Sequence, residues 1–225
     1  MPHHLARLTR SIPAAFAAAF LFAVLPASLA TPDSPTSPFA GLELVPSKGI
    51  GALYRRPDVD MLAYNKFMLG EPVVEFSKNW NPRNYGTFGL SASQLTKIRV
   101  DLANMAKDVF AKTLSDGGYD ITTEAGEGVL VITPNIVNVF INAPSVQTPG
   151  RSRTYTMNAG SATLALQVND AVTGTLLVVA FDQRQSGTST MQWTTSVSNR
   201  AAAEAMLKGW AEQLKRELDA ARAKS

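Results

Sequence analysis

The chain has 225 residues, with 21 Lys and Arg against 18 Asp and Glu, two His and no Cys. Without thiols it can form neither disulfides nor thiolate metal sites, so packing must hold the fold. A near-neutral balance of charge also gives no bulk electrostatic argument for nucleic acid or anionic lipid.

The first thirty residues read as an export signal. Met1 to Arg10 carries Arg7 and Arg10 and no acid; Ala14 to Leu25 is an unbroken apolar run; Ser28 and Ala30 are the small residues a signal peptidase needs. The apolar run is shorter than the ~20 residues of a membrane-spanning helix. Cleavage after Ala30 is expected, with no transmembrane span after cleavage and no lipid anchor, because no Cys follows the run. Cleavage would remove Arg7, Arg10, His3 and His4, leaving 19 Lys and Arg against 18 acids and no imidazole. The commonest general base and the commonest neutral zinc ligand would then be missing. No metal and no cofactor are expected.

Residues 31–40 begin TPDSPTSP, a Pro- and Ser-rich stretch read as a disordered spacer, and residues 41–225 as a single globular domain. Residues 41–63 are mixed, with an extended piece around Ala52–Arg55. Lys66–Phe76 reads as a first core strand, with Pro72 at a bulge or edge because it cannot donate to a ladder. Ser77–Gly89 is a polar loop holding Trp80, Tyr85 and Phe88. The first long helix has a capping box in Ser91 and Gln94 and a staple in Leu90 and Leu95. Its apolar stripe runs Leu95, Ile98, Leu102, Met105, Val109, Phe110, Leu114, and Gly117-Gly118 ends it.

Four strands are expected next. Tyr119–Thr123 turns through Glu124–Gly128 into the β-branched run Val129–Ala143, interrupted by Pro134. Pro144–Ser152 is a loop. Arg153–Val168 is extended and broken near Gly160, Asn169–Gly174 is a turn, and Thr175–Gln185 is the last strand. After a loop containing Trp193, Ser198 caps a final helix to about Ala223, with Met206, Leu207, Trp210, Leu214 and Leu218 on its apolar face. Short turns between strands favour antiparallel pairing, and two amphipathic helices need one sheet face to cover. The expectation is an α+β two-layer sandwich: about five mostly antiparallel strands, two long helices on one face, order β-α-β-β-β-β-α.

Catalytic signatures are sparse. No Gly-Lys dipeptide exists for a phosphate loop; Gly49-Ile50-Gly51 begins a dinucleotide fingerprint, but Tyr54 stands at its third glycine; Ser-x-x-Lys does not occur. Paired acids occur at Asp58/Asp60, Glu71/Glu75, Asp116/Asp120 and Glu124/Glu127, and two carboxylates suffice for glycoside hydrolysis. All lie in turns, helix ends or an edge-like strand. The loop from Trp80 to Phe88 places Trp80, Arg83 and Tyr85 among Asn79, Asn81 and Asn84. Such a surface suits a sugar or peptide; the favoured reading is that its aromatics plug the sheet edge below the helix cap.

The second half carries a resemblance. Asp170-Ala171-Val172-Thr173-Gly174 leads into Leu176-Leu177-Val178, then Asp182-Gln183-Arg184, Gly187, Trp193 and a helix with Trp210-Ala211 and Leu214. Upstream, Leu53-Tyr54-Arg55-Arg56-Pro57 runs into Tyr64-Asn65-Lys66. From about Gly41 to Leu218 the chain resembles the bacterial envelope family called domain of unknown function thirty-three thirteen. Members are commonly predicted lipoproteins, and this chain departs from them in lacking the lipid-bearing Cys. The resemblance implies an envelope location and a fold type; it supplies no activity and no site residues. On the residues themselves, Asp170 bonds turn amides, Thr173 lies in that turn, and Gly174 supplies a positive φ. Asp182 and Arg184 share one face of a strand, expected on the solvent side, either as an ordinary ion pair or as a polar binding patch.

The functional expectation is a non-catalytic periplasmic or envelope-associated protein that binds an envelope protein or envelope component and no nucleic acid. The alternative is a His-free carboxylate hydrolase of cell-wall glycan, or a module binding it. Two buried acids converging in a cleft would favour the hydrolase. An apolar patch or free sheet edge without them would favour the binding module.

Overall fold

The structure, a computed structural model, describes residues 39–84, 89–142, 155–156, 160–186, 192–193 and 196–222. The expected leader, the spacer up to residue 38, Tyr85 to Phe88 and most of the loop after Asn142 lie outside them. In chain order the strands are β1 Glu43–Val45, β2 Ala52–Arg55, β3 Lys66–Leu69 and β4 Val74–Phe76; then come helix α1 Ala92–Asp116, β5 Asp120–Ile121 and β6 Val129–Ile141. They are followed by β7 Tyr155–Thr156, β8 Gly160–Asp170, β9 Leu176–Ser186, β10 Gln192–Trp193 and helix α2 Ser196–Arg222.

Among the described residues the fold is α+β, with one large mixed sheet, a separate two-stranded ribbon and two long helices. The strand count and order depart from the sequence reading. Eight strands form the main sheet, in the order β1-β2-β9-β8-β6-β3-β5, with β4 also against β6. The centre, β6-β8-β9, is antiparallel as expected. The β3–β5, β3–β6 and β4–β6 pairings are parallel. The extended piece at Ala52–Arg55 joins the sheet beside β9 and brings β1 with it. The two-residue β7 and β10 pair with each other, apart from the main sheet.

Lys66–Phe76 is two strands rather than one, and Pro134 explains why. Gly70 N–H donates to the Ile132 carbonyl, and Ile136 N–H donates to the Val73 carbonyl. The even-numbered residues of β6 therefore turn their backbone groups toward β3 and β4. Pro134 is the even residue between them and has no N–H to offer. The neighbouring strand leaves the ladder opposite that missing donor, over Gly70–Val73, and Pro72 lies buried in the detour. The Asn135 Oδ1 takes the Val73 N–H at 2.9 Å, so the break leaves that donor satisfied.

α1 begins as its sequence dictates. The Ser91 Oγ accepts from the Gln94 N–H, and the Gln94 Oε1 accepts from the Ser91 N–H at 2.8 Å. α2 begins at Ser196, a turn earlier than a Ser198 cap would allow. Both helices pack on one sheet face. Phe110 and Leu114 of α1 and Leu207, Trp210 and Leu214 of α2 are buried against Ile132, Leu164, Leu166 and Ala180. The two C-terminal halves are joined where the Tyr119 hydroxyl donates to Asp219 Oδ1 at 2.6 Å, with Lys215 on the other carboxylate oxygen at 2.6 Å. On the opposite sheet face, Phe39 stacks on Tyr54 and meets Phe181 edge-on.

Candidate functional site

The two helix stripes are buried unevenly. In the C-terminal half of α1 Ala106, Phe110 and Leu114 are fully buried, whereas Leu95, Ile98, Leu102 and Met105 are only half-buried. The reason lies across from them on α2. Ala202 and Ala203 stand where large side chains would be needed to fill the space. A cavity of about 490 Å³ results, between the N-terminal halves of α1 and α2 and the sheet. Its volume falls within the ~300–1,000 Å³ typical of small-molecule sites.

Apolar groups make up most of the wall. Ile98, Leu102 and Met105 of α1 face Met206, Leu207 and Trp210 of α2. The sheet contributes Ile136, Val139 and Ala162. A bulge in β6 makes this wall: the register against β8 shifts between Val137 and Phe140, and Asn138 takes φ 52°. Asn tolerates this left-handed conformation better than most residues. The extra residue turns Val139 to the helix side. Gly160 opposite approaches the Phe140 carbonyl so closely that a Cβ would collide with it. Polar lining comes from Gln94, Lys97 and Asp101 on α1, Asn199 and Arg200 on α2, and Ser161 on β8. Lys97 pairs with Asp101 at 2.9 Å.

Asp182 and Arg184 do not face solvent. Asp182 is in register with Leu164 and Arg184 with Ala162, both on the helix-covered face. Asp182 Oδ2 accepts from Trp210 Nε1 and from Arg184 Nε, each at 2.8 Å, and Oδ1 accepts from the Gly51 N–H at 3.2 Å. Arg184 also lies 5.7 Å from the Trp210 ring centre, and a side chain on Gly209 would collide with its guanidinium. A spacing of two puts Asp182 and Arg184 on one face of β9 but does not say which, and α2 extends over that end of the strand. Trp210 was visible only as core; its indole N–H, which needs a buried acceptor, was the signal that could have found Asp182.

Asp170, Thr173 and Gly174 form the β8–β9 turn. Asp170 Oδ1 accepts from the Val172 N–H, the Thr173 N–H and the Thr173 hydroxyl, and Gly174 has φ 69°. Oδ2 accepts from the Tyr64 hydroxyl at 2.9 Å. The Thr173 N–H above all, and then the Tyr64 hydroxyl, hold the Asp170 carboxyl below its ordinary pKa. Burial, with Asp170 adding to it, raises the Tyr64 hydroxyl.

The Trp80 loop divides. Trp80 is 6% exposed, stacks on Phe76 at 4.5 Å and donates its Nε1–H to the Ile141 carbonyl at 2.9 Å. Arg83 is exposed, and Tyr85 lies outside the described residues. The loop aromatic therefore closes the sheet next to the cavity, while Arg83 stays on the exposed surface.

All eight paired acids are exposed. Asp60 accepts from the Leu62 N–H, and Glu71 pairs with Lys107. Among the described residues no group of three or more His, Cys, Asp or Glu could hold a metal ion, and no helix is long and apolar enough to cross a membrane.

No curated protein matches the chain. Among solved structures, it is similar to the PelC dodecamer from Paraburkholderia phytofirmans, at 11% identity and a TM-score of 0.32, over 74% of this chain and 92% of that one. It is also similar to a minor lipoprotein from Acinetobacter baumannii, at 10% identity and a TM-score of 0.34, over 71% and 95%. Likeness at this level sets neither ligand nor partner. The family match is different in kind, because it spans most of the chain: by residues 36–214 this chain belongs to the family described as Protein of unknown function (DUF3313).

Proposed function

We propose that this chain is an exported, envelope-associated binding domain, and that the cavity between α1, α2 and the sheet receives an envelope component. Export rests on the basic start, the apolar run and the small residues Ser28 and Ala30. One observation carries the binding reading: an apolar cavity of about 490 Å³ that the helix stripes leave unfilled. An unfilled apolar space of this size costs stability, and binding is the function that recovers it.

The hydrolase reading has less support. A catalytic acid needs a raised pKa, which burial supplies, and a partner carboxylate within about 5–10 Å across a cleft. The cavity has one carboxylate, Asp101, and Lys97 neutralises it. The exposed acid pairs lack the burial that would raise a carboxyl pKa.

The absence of cysteine from the whole sequence makes a clean test available. Ala202→Cys places a unique thiol on the cavity wall. Its maleimide labelling should slow when extract of the native envelope is added, and the same extract should leave a thiol at exposed Val172→Cys unaffected. Equal labelling rates with and without extract would remove the cavity as the binding site.

A further inference from the structure

Resting on the reading of the cavity as the binding site, we infer that its ligand is a single acyl chain carrying an anionic head: a long-chain fatty acid or a one-chain lipid. The cavity has a direction. Along α2 its lining runs from Asn199 and exposed Arg200, through half-buried Ala202 and Met206, to Leu207 and Trp210, which are 1% and 2% exposed. Along α1 it runs from Gln94 and Lys97, past Ile98 and Asp101, to Leu102 and Met105. Charged groups are therefore confined to the outer part, and the inner end is carbon. The inner end offers no free donor from Trp210, because Asp182 already holds the indole N–H. A sugar or a peptide would leave its polar groups unpaired there, at a cost that selects against both.

Length sets the chain. From Asn199 to Trp210 the lining spans about 16 Å of α2 at 1.5 Å per residue, the reach of an extended long acyl chain. Charge sets the head. Lys97 and Arg200 stand against Asp101 alone among the charged groups of the lining, and Arg200 makes no ion pair among the described residues. That excess of one positive charge favours a carboxylate or phosphate over a neutral or cationic head.

The test uses the mature chain and a fluorescent fatty acid, dansyl-undecanoate, displaced by palmitate, palmitoyl-lysophosphatidylglycerol, hexadecanol or palmitoylcholine. Either anionic amphiphile should displace the probe, and whichever does so at lower concentration identifies the source of the chain. Hexadecanol should be weaker and palmitoylcholine weakest. Ala202→Phe and Ala203→Phe each fill the cavity and should weaken probe binding about tenfold or more; two sites are used so that one misfolded variant, seen by its melting curve, does not decide the matter. Arg200→Glu should weaken palmitate and leave hexadecanol unchanged. No displacement by either anionic amphiphile, equal displacement by palmitoylcholine, or binding indifferent to both cavity-filling changes would overturn the inference. The thiol-protection experiment separates the two claims: protection by the protein fraction of the envelope, and none by its lipid extract, sinks the acyl chain and leaves the cavity as a binding site.

Discussion

The indole Nε1–H of Trp210, on α2, donates to Asp182 Oδ2, on β9, at 2.8 Å. This bond joins a residue that is 2% exposed to a carboxylate whose side chain is 15% exposed, and the same oxygen also holds Arg184. It ties the last helix to the last long strand, and the other carboxylate oxygen takes the Gly51 N–H beside β2. Removing the carboxylate leaves a buried N–H and a half-buried guanidinium unpaired. Asp182→Ala should therefore destabilise by about 2–4 kcal/mol. Asp182→Asn, which keeps an acceptor oxygen, should cost less. Denaturant melts of Asp182→Ala, Trp210→Phe and the double variant would show a coupling of about 0.5–3 kcal/mol. Additive effects would falsify the link.

Much of the fold was legible because it obeys local rules. The Ser91–Gln94 box and the Leu102–Leu114 stripe dictate α1, and the β-branched run from Val129 dictates β6. The β8–β9 turn follows from Asp170 and Gly174. The parallel pairings were not legible, since β3 reaches β6 only across a connection that includes α1, and nothing local in Lys66–Leu69 records that partner. Pro134 was read as an interruption of its own strand; its effect falls instead on the neighbouring strand, which breaks into β3 and β4. The cavity was hidden for a related reason. Leu102 and Met105 share the apolar periodicity of buried Phe110, and periodicity reports which way a side chain faces but not whether anything meets it. Ala202 and Ala203, on another element, decide that.

Tyr119 makes stability depend on alkaline pH. Burial first, and then the Asp219 carboxylate that accepts its hydroxyl hydrogen, push its pKa up to about 12 from 10.0. Because the folded value is above the unfolded one, the contribution is complete below pH 10 and is lost as pH rises toward 12. Absorbance titration of the Tyr64→Phe variant, which removes the other raised hydroxyl, should show a tyrosine ionising late. Asp219→Asn removes the charge and should bring that transition down; a late transition that stays in place would assign it to another residue.

Asp170 acts at the other end of the scale. The Thr173 N–H, followed by the Tyr64 hydroxyl, lowers its pKa below 3.8. Asp219 is lowered too, chiefly by Lys215 and then by Tyr119. Folded values below the unfolded ones mean that these contributions are present above pH 3.8 and are lost as pH falls through the folded values. Asp170→Asn should therefore flatten the acid limb of a stability–pH curve and loosen the β8–β9 turn. A curve of unchanged slope would mean that the turn amides hold the carboxyl equally well in the unfolded chain.

Leu102 and Leu214 test how the helix stripes divide between packing and binding. Both sit on apolar faces turned to the same sheet, yet Leu214 is 7% exposed within the core and Leu102 is half-buried beside the cavity. Truncating Leu214 opens a void among residues that cannot collapse into it, so Leu214→Ala should cost about 2–5 kcal/mol. Leu102 already borders unfilled space, so its truncation loses fewer contacts and only enlarges an existing hole; Leu102→Ala should cost about 1 kcal/mol. Binding reverses the order. Leu102→Ala removes a wall from the ligand and should weaken the fluorescent fatty acid, whereas Leu214→Ala, measured well below its melting temperature, should leave affinity near that of the unaltered chain. Equal stability losses for the two leucines would mean that the N-terminal half of the α1 stripe is ordinary core, with no space reserved between it and α2.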